Sequence, residues 1–498
     1  MQKKLYLLFL PVVLLVADCQ SLEDTYSKYA GDGMIRYVGK CYNLKVTSGW
    51  KRLILTWENS LDPTIDKIVV TWKAGETLRE KELDKNATSY EITDVGNENY
   101  EITVFAMDKE GNRSLKVPEY ARPFSEDHES VRSFTRGIIK HYPVKDNLVL
   151  FFDQWSANIE KFTMNYYDTG GERKAMELTE GLFAGEYYVL EDVDTDRPVA
   201  IDREGRIPGC PDLIVFAPYE LDNERSFSSD FNLLLRTRYG QENPDDTFVQ
   251  NVRELEIDYT INSFEDILYF PNLEKLVLGK NRYLYPAYLA TSQSNSIVYE
   301  KARSLFVLNA ANRLSGVTVE RYNKHYLPDE TLAYMEDKGN PSPPALSYLN
   351  TAGWVITNSV PDAEQIGGDL KNLLDNDPET YWQTEMSQTS SRIYQLEIDM
   401  QAETTLNGFK VSQKRFEPSS DRISAAWMPG MIRVQASNDR LIWRNVMNVE
   451  DIIIGNTSGE VTIQRMPEPP RVRYVRITIT DGVYGQNFAA ALGDFMLF

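Results

Sequence analysis

The sequence predicts a mainly β protein with several domains. Short runs that alternate hydrophobic and polar residues, each closed by turn residues, recur through the first and last thirds of the chain. The chain has 498 residues, and at about 100–200 residues per domain this length provides for several hydrophobic cores. Three prolines within Gly339–Pro344 interrupt any helix or central strand, so we expect a stiff linker over residues 339–348.

The chain is acidic, with 74 Asp and Glu against 53 Lys and Arg and a formal net charge of −21. Because it has no basic excess to displace counterions from phosphates, we expect no nucleic-acid partner. Aromatic residues make up 11% of the chain, which indicates folded domains. Only three histidines are present, and we find no phosphate loop, zinc-protease motif, nucleophile elbow or alternating β/α pattern. The sequence therefore does not predict an enzyme.

Residues 1–18 have the order of a signal peptide. Two lysines precede the apolar run Leu5–Ala17, which is shorter than the roughly 20 residues that a membrane span needs. Cys19 follows directly, and Val16-Ala17-Asp18-Cys19 resembles a bacterial lipobox, with Asp18 where a small residue is usual. The resemblance implies that Cys19 is acylated and anchors the mature chain. The alternative is an ordinary secretory signal with an incidental cysteine.

An acidic stretch follows the cysteine. Gln20-Ser21-Leu22-Glu23-Asp24 resembles the export signal of Bacteroides-type lipoproteins, which implies a lipid-anchored outer-membrane protein exposed at the cell surface. No later run approaches 18 consecutive apolar residues, so the expected membrane contact is the lipid anchor alone.

Residues 19–125 are predicted to form a β-sandwich. Turn residues separate four strand-like runs with no helical period between them: Leu53–Trp57, Lys67–Trp72, Ser89–Ile92 and Tyr100–Phe105. The arrangement resembles a fibronectin type III domain. Together with Asp24-Thr25-Tyr26 and Gly31-Asp32-Gly33, it resembles an uncharacterised fibronectin-like family at the N-termini of Bacteroides-type lipoproteins.

A second copy is predicted over residues 126–225. Asn147–Phe152 repeats the first strand, and Ile159–Met164 repeats Ile65–Val70. The internal repeat predicts tandem fibronectin type III-like sandwiches, which usually serve as spacers. Cys41 and Cys210 are too few for a disulfide framework, and they form either two buried thiols or one bond.

Residues 226–338 follow a different pattern. Val252–Ile257 and Leu273–Asn281 share the L-x-x-L-x-L spacing of a leucine-rich repeat, Val317–Val319 falls close to two further periods, and a helix is predicted near Tyr299–Leu314. Two clear repeats cannot bury a solenoid, so we expect a small leucine-rich-repeat-like α/β segment packed on a neighbouring domain. A protein-binding face is the alternative. Residues 126–345 are compatible with one composite unit or with two.

Residues 349–498 carry an ordered series of motifs. These are Trp354–Ile356, Leu373–Trp382, Tyr394–Met400, Leu406–Phe409, Val434–Asp439 with Trp443, Arg473–Thr478 and Leu492–Phe495. The series resembles the coagulation factor V/VIII type C, or discoidin, family. The resemblance implies an eight-stranded β jelly roll, a fold shared with galactose-binding-like carbohydrate-binding modules. Alternating strands such as Ile432–Ala436 agree with it, and Trp382 and Trp443 are expected to pack in the core.

One loop of this domain groups oxygen atoms. Asp375, Asp377 and Thr380 lie within a single tight turn, and a hard cation such as Ca²⁺ prefers oxygen ligands. The family resemblance implies a structural Ca²⁺ in this loop, completed by an acid near the C-terminus, where Asp494 stands in place of the usual Glu. The alternative is a loop capped by its own aspartates.

Two further loops, Lys414–Gly430 and Asp481–Phe488, offer groups for a ligand. Exposed aromatic rings stack on sugar rings, and planar donors hydrogen-bond to hydroxyl groups. The predicted ligand-binding residues are Arg415, Phe416, Trp427, Tyr484, Asn487 and Phe488. A core or interface role for the two phenylalanines is the alternative. The His-Arg-Asn trio of many galactose binders is incomplete, because no histidine follows His325.

These features predict a non-catalytic cell-surface lipoprotein that binds glycan, either a polysaccharide or a host glycan, through its C-terminal jelly roll. It would be an accessory to polysaccharide capture, with the sandwiches holding the jelly roll away from the membrane. The alternative is an adhesin or structural lipoprotein that binds a surface protein and has no glycan ligand.

Overall fold

A computed structural model describes residues 38–284, 295–361, 367–417 and 420–498. Cys19 and the signal sequence lie outside these residues, so the lipid anchor stays a prediction. The described residues form two compact units. The first contains the described residues up to Arg136 with Trp155–Thr163 and Asp202–Pro218, and the second contains Gly137–Gln154, Met164–Ile201 and Tyr219–Phe498. In the described part of the chain, no helix is long and apolar enough to cross a membrane.

The N-terminal strands form two antiparallel sheets. The strands are β1 (Tyr42–Gly49), β2 (Arg52–Glu58), β3 (Lys67–Ala74), β4 (Thr77–Asp84), β5 (Ser89–Thr93), β6 (Tyr100–Met107) and β7 (Pro118–Ala121). The sheet orders are β1-β2-β5 and β4-β3-β6-β7. Burial alternates along the strands: Leu53, Leu55 and Trp57 of β2 face the core, whereas Thr56 and Glu58 are exposed. The four predicted strands are confirmed.

The next strands repeat this topology. The elements are α1 (Glu129–Arg132), β8 (Ile138–Val144), β9 (Asn147–Phe152), β10 (Ile159–Tyr167), β11 (Arg173–Glu177), α2 (Glu180–Phe183), β12 (Tyr187–Glu191), β13 (Ala200–Gly205), β14 (Ile214–Val215) and β15 (Tyr219–Glu220). The sheet orders are β12-β9-β8 and β11-β10-β13-β14, and β15 also pairs with β13. The predicted repeat strands are β9 and the first part of β10. Cys41 and Cys210 are both free thiols; Cys210 is buried and Cys41 half-buried.

A small parallel sheet follows. The elements are α3 (Ser229–Tyr239), α4 (Asp246–Asn251), β16 (Glu254–Ile257), β17 (Lys275–Leu278), α5 (Lys301–Ser315), β18 (Thr318–Tyr322) and β19 (Met335–Lys338). The four strands pair in parallel in chain order, as in a leucine-rich repeat. The sequence predicted the first three strands and α5. It did not predict β19, because Met335-Glu336-Asp337-Lys338 has no leucine pattern.

The leucine-rich-repeat-like segment packs on the sheet of β8, β9 and β12. Leu255, Leu276 and Val319, which lie side by side in the parallel register, share a core with Val149 and Phe151 of β9. A two-sided core of this kind supplies the buried area that so few repeats cannot supply alone. The expected packing on a neighbouring part of the chain is confirmed.

Asp266 adds polar contacts between the leucine-rich-repeat-like segment and the sheet of β8, β9 and β12. Its carboxylate is fully buried and accepts hydrogen bonds from Lys140 Nζ (2.6 Å), Tyr142 Oη (3.0 Å) and Ser228 Oγ (2.6 Å). A buried carboxylate without donors would be strongly unfavourable, so the three donors specify one arrangement of these elements.

The C-terminal domain is a β jelly roll. Its elements are β20 (Val355–Asn358), β21 (Trp382–Gln383), β22 (Ile393–Thr405), β23 (Gly408–Ser412), α6 (Arg422–Trp427), β24 (Arg433–Ser437), β25 (Arg444–Asn445), β26 (Val461–Arg465), β27 (Arg471–Thr480), β28 (Gly482–Tyr484), β29 (Asn487–Ala489), β30 (Ala491–Leu492) and β31 (Asp494–Leu497). The sheet orders are β20-β22-β27-β24-β25 and β26-β23-β31, with the pairs β21-β30 and β28-β29 at the loops. Trp382 is in the core, as expected, whereas Trp443 is half-buried with the Arg476 guanidinium 3.7 Å from its ring centroid.

The proline-rich segment is packed within the second unit. Asn340 donates its amide to Leu284 O (2.7 Å) and accepts from Leu284 N (3.3 Å) and Asn323 Nδ2 (3.0 Å). The segment is therefore tied to the leucine-rich-repeat-like segment by side-chain hydrogen bonds. The predicted domain boundaries themselves stay predictions.

A buried ion pair joins the leucine-rich-repeat-like segment to the jelly roll. Arg282 is 2% exposed and Glu460 1%. The guanidinium binds both carboxylate oxygens of Glu460, with Nη2 2.9 Å from Oε2, and Nη1 also donates to Ser296 Oγ (2.5 Å). Next to this pair, Val461 N donates to Tyr283 O (3.0 Å). Burial of both charges is tolerated because each is paired and hydrogen-bonded.

We expect Arg282→Met to destabilise the second unit by about 3–5 kcal/mol, because the Glu460 charge would stay buried without a partner. The urea midpoint of the transition that reports on the second unit measures this loss. Arg282→Met combined with Glu460→Gln should lose less than Arg282→Met alone, because the uncompensated charge is gone. Equal or larger losses in the double variant would contradict the ion-pair explanation.

Candidate functional site

The first predicted ligand loop contains helix α6. Asp421 caps its N-terminus, because Oδ1 accepts from Ser424 N (3.0 Å) and Oδ2 from Ser424 Oγ (2.6 Å). Trp427 is the last residue of the helix. The cap therefore fixes the start of the short helix that ends at Trp427.

The helix packs directly against the second predicted ligand loop. A Cβ atom on Gly482, the first residue of β28, would lie 1.9 Å from Ala426 O and 3.0 Å from Trp427 Cα. Only glycine permits so close an approach of two backbones. Trp427 and the β28–β29 hairpin, which are far apart in sequence, thus form one surface.

Four of the six predicted ligand residues lie on these two elements. Tyr484 is 45% exposed, and Trp427, Asn487 and Phe488 are half-buried. The indole N–H of Trp427 is buried and has no hydrogen-bond partner among the described residues. Phe488 is fixed by two backbone hydrogen bonds of 2.8 Å with Ser387. The surface offers aromatic faces and one side-chain amide.

Phe416 is not available to a ligand. It is 7% exposed, its N–H donates to Ser458 Oγ (2.8 Å), and its carbonyl accepts from the same hydroxyl (2.7 Å). The prediction of Phe416 as a stacking residue is wrong, and the core alternative is right. Ser458, which is distant in sequence, hydrogen-bonds to both backbone groups of Phe416, a tertiary contact that no local pattern reveals.

Arg415 connects the ligand loop to the oxygen-rich loop. Its Nη1 lies 2.5 Å from Glu379 Oε1, and the Arg415 side chain is 25% exposed. Arg415 is therefore a link between loops, and a ligand would meet a guanidinium already oriented by Glu379.

Lys414 is a buried group that no sequence motif singled out. Its Nζ donates to Gln383 Oε1 (2.6 Å) and to Ser424 Oγ (3.3 Å), and it lies 4.1 Å from the Tyr381 ring centroid. Burial lowers the pKa of Lys414, and the charge of Asp421 opposes this shift. The Asp-x-x-Ser helix cap was the available sequence signal for this cluster.

Asp481 holds the base of the hairpin. Its Oδ1 accepts from Tyr394 Oη (2.8 Å), and its Oδ2 accepts from Arg392 N (2.9 Å) and Arg392 Nε (3.0 Å). The carboxylate is 7% exposed. These bonds anchor the hairpin to β22, so the surface beside Trp427 is preorganised.

The oxygen-rich loop has internal hydrogen bonds. Asp375 accepts from Thr380 Oγ1 (2.9 Å) and from Asp377 N (2.9 Å), and Asp377 accepts from Glu379 N (2.9 Å). Both aspartates are exposed. This is the pattern of the alternative in which the loop is capped by its own aspartates.

The acid that would complete a calcium site is paired with a lysine. Asp494 is 1% exposed, and its Oδ2 lies 3.1 Å from Lys410 Nζ, which also donates to Asn376 Oδ1 (2.6 Å). Burial raises the pKa of Asp494, the Lys410 charge opposes this shift and Asp375 adds to it. Asp494 Oδ1 has no hydrogen-bond partner among the described residues.

These residues do not fit a calcium ion. Ca²⁺ takes 6–8 oxygen ligands at about 2.3–2.6 Å. In the described chain, no three His, Cys, Asp or Glu side chains are grouped closely enough to hold a metal ion. The one oxygen of Asp494 that is not bonded to Lys410 supplies too few ligands for calcium. The buried Lys410 ammonium would also repel a second cation beside it.

Comparison with known families identifies both ends of the chain. Residues 19–199 match DUF4998, a domain of unknown function, and residues 355–492 match the F5/8 type C domain. The chain therefore carries an N-terminal DUF4998 domain, which extends beyond the first predicted sandwich, and a C-terminal F5/8 type C domain. No curated protein matches the chain significantly.

Solved structures resemble separate parts of the chain. The family 32 carbohydrate-binding module of Clostridium perfringens NanJ, in complex with galactose, is 12% identical, with 30% of this chain and 94% of that chain covered and a TM-score of 0.24. A fragment of a putative chitobiase from Bacteroides thetaiotaomicron is 20% identical, with 31% and 93% covered and a TM-score of 0.26. A two-domain fibronectin type III segment of chicken tenascin is 11% identical, with 37% and 99% covered and a TM-score of 0.19.

We expect Gly482→Ala to destabilise the jelly roll by about 1–3 kcal/mol, because the new Cβ would collide with the backbone of α6. Thermal unfolding followed by tryptophan fluorescence measures the loss. Gly430→Ala is the matched control, since a Cβ there meets nothing within 4 Å. Equal effects of the two substitutions would argue against the close contact between α6 and β28.

Proposed function

We propose that the chain is a non-catalytic cell-surface lipoprotein that binds glycan through its C-terminal jelly roll, as an accessory to polysaccharide capture. The observation that carries this proposal is the packing of α6 against the β28–β29 hairpin: Trp427 ends that helix, and Tyr484, Asn487 and Phe488 lie on that hairpin. This surface, defined by those four residues, is the glycan surface of the proposal.

The chemistry of the glycan surface suits a sugar. Aromatic rings present flat apolar faces to the C–H groups of a pyranose, and they lose little conformational freedom on binding. The Asn487 amide can both donate to and accept from hydroxyl groups. The anchored hairpin and the capped helix keep these groups in place before a ligand arrives, which limits the entropic cost of binding.

The family match supports a carbohydrate ligand. The proposal does not name galactose as the sugar. The chain lacks a histidine after His325, so the trio found in many galactose binders is incomplete. The lipobox-like sequence ending at Cys19 supports the lipid anchor and the outer-membrane location. DUF4998 and the following strands then act as the spacer between anchor and jelly roll.

Trp427→Ala should weaken glycan binding at least about tenfold, equivalent to about 1.4 kcal/mol, because it removes the largest stacking face. A glycan array with the mature full chain selects the ligand, and affinity electrophoresis measures the change. Tyr120→Ala is the matched control, since Tyr120 is 68% exposed and lies in the N-terminal sandwich. If no glycan binds, or if both variants bind like the wild type, the proposal fails.

Cys19→Ala should abolish incorporation of labelled palmitate and release the protein from the outer-membrane fraction. Lipid labelling of cells that express the full precursor measures this. Cys41→Ala is the control, because Cys41 is described as a half-buried free thiol. Persistent labelling of the Cys19→Ala protein would contradict the lipoprotein assignment.

The second candidate is an adhesin or structural lipoprotein that binds a surface protein. The observation in its favour is an exposed apolar pair at the β24–β25 turn, where Leu441 is 84% and Ile442 62% exposed. Leu441→Asp would then abolish capture of a defined outer-membrane partner while Trp427→Ala would not. Loss of capture with Trp427→Ala and competition by a sugar would instead favour the glycan surface.

A further inference from the structure

The C-terminal jelly roll contains a buried positive charge where its family resemblance implies a metal ion. Lys410 is 7% exposed, and its Nζ lies between the oxygen-rich loop and β31, 2.6 Å from Asn376 Oδ1 and 3.1 Å from Asp494 Oδ2. The Tyr348 ring centroid is 5.4 Å away. We propose that the Lys410 ammonium replaces the structural calcium ion, so that this domain folds and functions without metal.

The strand register explains how the ammonium reaches this position. In the antiparallel pair β23–β31, Ser412 is opposite Asp494 and Lys410 is opposite Met496. Lys410 and Asp494 are therefore diagonal neighbours on the same face of the sheet, within reach of a long side chain. The β23 strand is buried along its whole length, so the lysine stem has no route to solvent and its charge must be met inside.

The distances are those of ammonium hydrogen bonds. Nitrogen–oxygen separations of 2.6 and 3.1 Å suit charge-assisted donors, and the planar Tyr348 ring adds a weak cation–π contact. A single ammonium charge balances the single Asp494 carboxylate. A calcium ion beside Lys410 would instead bring three positive charges to one buried acid.

Asp494, which stands where the family resemblance implies Glu, agrees with this arrangement. Asp494 is one methylene shorter than the usual family residue, so its carboxylate stays close to the sheet. The space between that carboxylate and the loop is spanned by the Lys410 side chain. Asn376, whose φ is 57°, turns its side-chain oxygen towards the ammonium from the loop side.

The ammonium also supports the ligand loops. Lys410 holds Asn376 at one end of the oxygen-rich loop, and Glu379 at the other end pairs with Arg415. Lys410 is therefore a positioning residue two contacts away from the ligand loop. The consequence that glycan binding is independent of calcium rests on the proposed function; the consequence for folding does not.

The first experiment uses the wild-type full chain. Its thermal transitions, followed by calorimetry, should be the same within about 1 °C in excess EDTA and in millimolar CaCl₂, and titration with Tb³⁺ should give no sensitised luminescence from the jelly roll. A lower transition temperature of the jelly roll in EDTA would overturn the proposal. So would saturable Tb³⁺ binding that Ca²⁺ reverses. Neither readout involves glycan, so failure of the proposed function leaves this test intact.

The second experiment removes the ammonium. Lys410→Met keeps an aliphatic side chain of similar length and should lower the transition temperature of the jelly roll by at least about 5 °C. Adding Asp494→Asn should recover part of this loss, because both charges are then gone. Lys414→Met is the matched control: this lysine is similarly buried but bonds to Gln383 and Ser424, so Asp494→Asn should not rescue it. An unchanged Lys410→Met transition, or no rescue by Asp494→Asn, would refute the ammonium role; if Lys410→Met does not fold, the EDTA experiment still decides.

Discussion

The Arg282–Glu460 ion pair is the contact on which the C-terminal half of the molecule depends. Both side chains are buried. The pair joins a loop of the leucine-rich-repeat-like segment to the residue that precedes β26 of the jelly roll. Paired buried charges tolerate little displacement, because separation would leave each one desolvated and alone. A second contact, from Arg236 to Asp451 at 2.7 Å, holds the same two modules together. The jelly roll is thus presented on a composite support and not on a free linker.

Internal cations recur in this acidic chain. The net charge is −21, yet Arg282, Lys410 and Lys414 are buried, and Arg321 is 1% exposed with Asp337 2.7 Å away. Each of these side chains connects segments that are distant in sequence or holds a loop against a strand. Buried carboxylates accompany these cations, among them Glu460 and Asp494, and the acids that remain on the surface favour solubility.

Periodicity predicted most of the fold because local patterns decide strands. Alternation identified β2, β3, β5 and β6, the internal repeat identified β9 and β10, and leucine spacing identified the first parallel strands. β19 was not predicted, because its residues Met335–Lys338 are mostly charged. They form a strand by pairing with the edge of β18. The site was harder to predict. Trp427 and Tyr484 were recognised as candidates, but Phe416 was misjudged, because its burial arises from tertiary packing, which a local pattern does not show.

The sequence alone determined the class of the fold, the two recognisable terminal domains, and the two loops that carry the candidate ligand residues, because these follow from local periodicity and from ordered motifs. Only the tertiary structure decided which side chains meet. The close approach of Gly482 to Ala426, the pairing of Lys410 with Asp494, and the burial of Phe416 all join residues from separate strands and loops. Such contacts depend on strand register and packing, which no local pattern encodes.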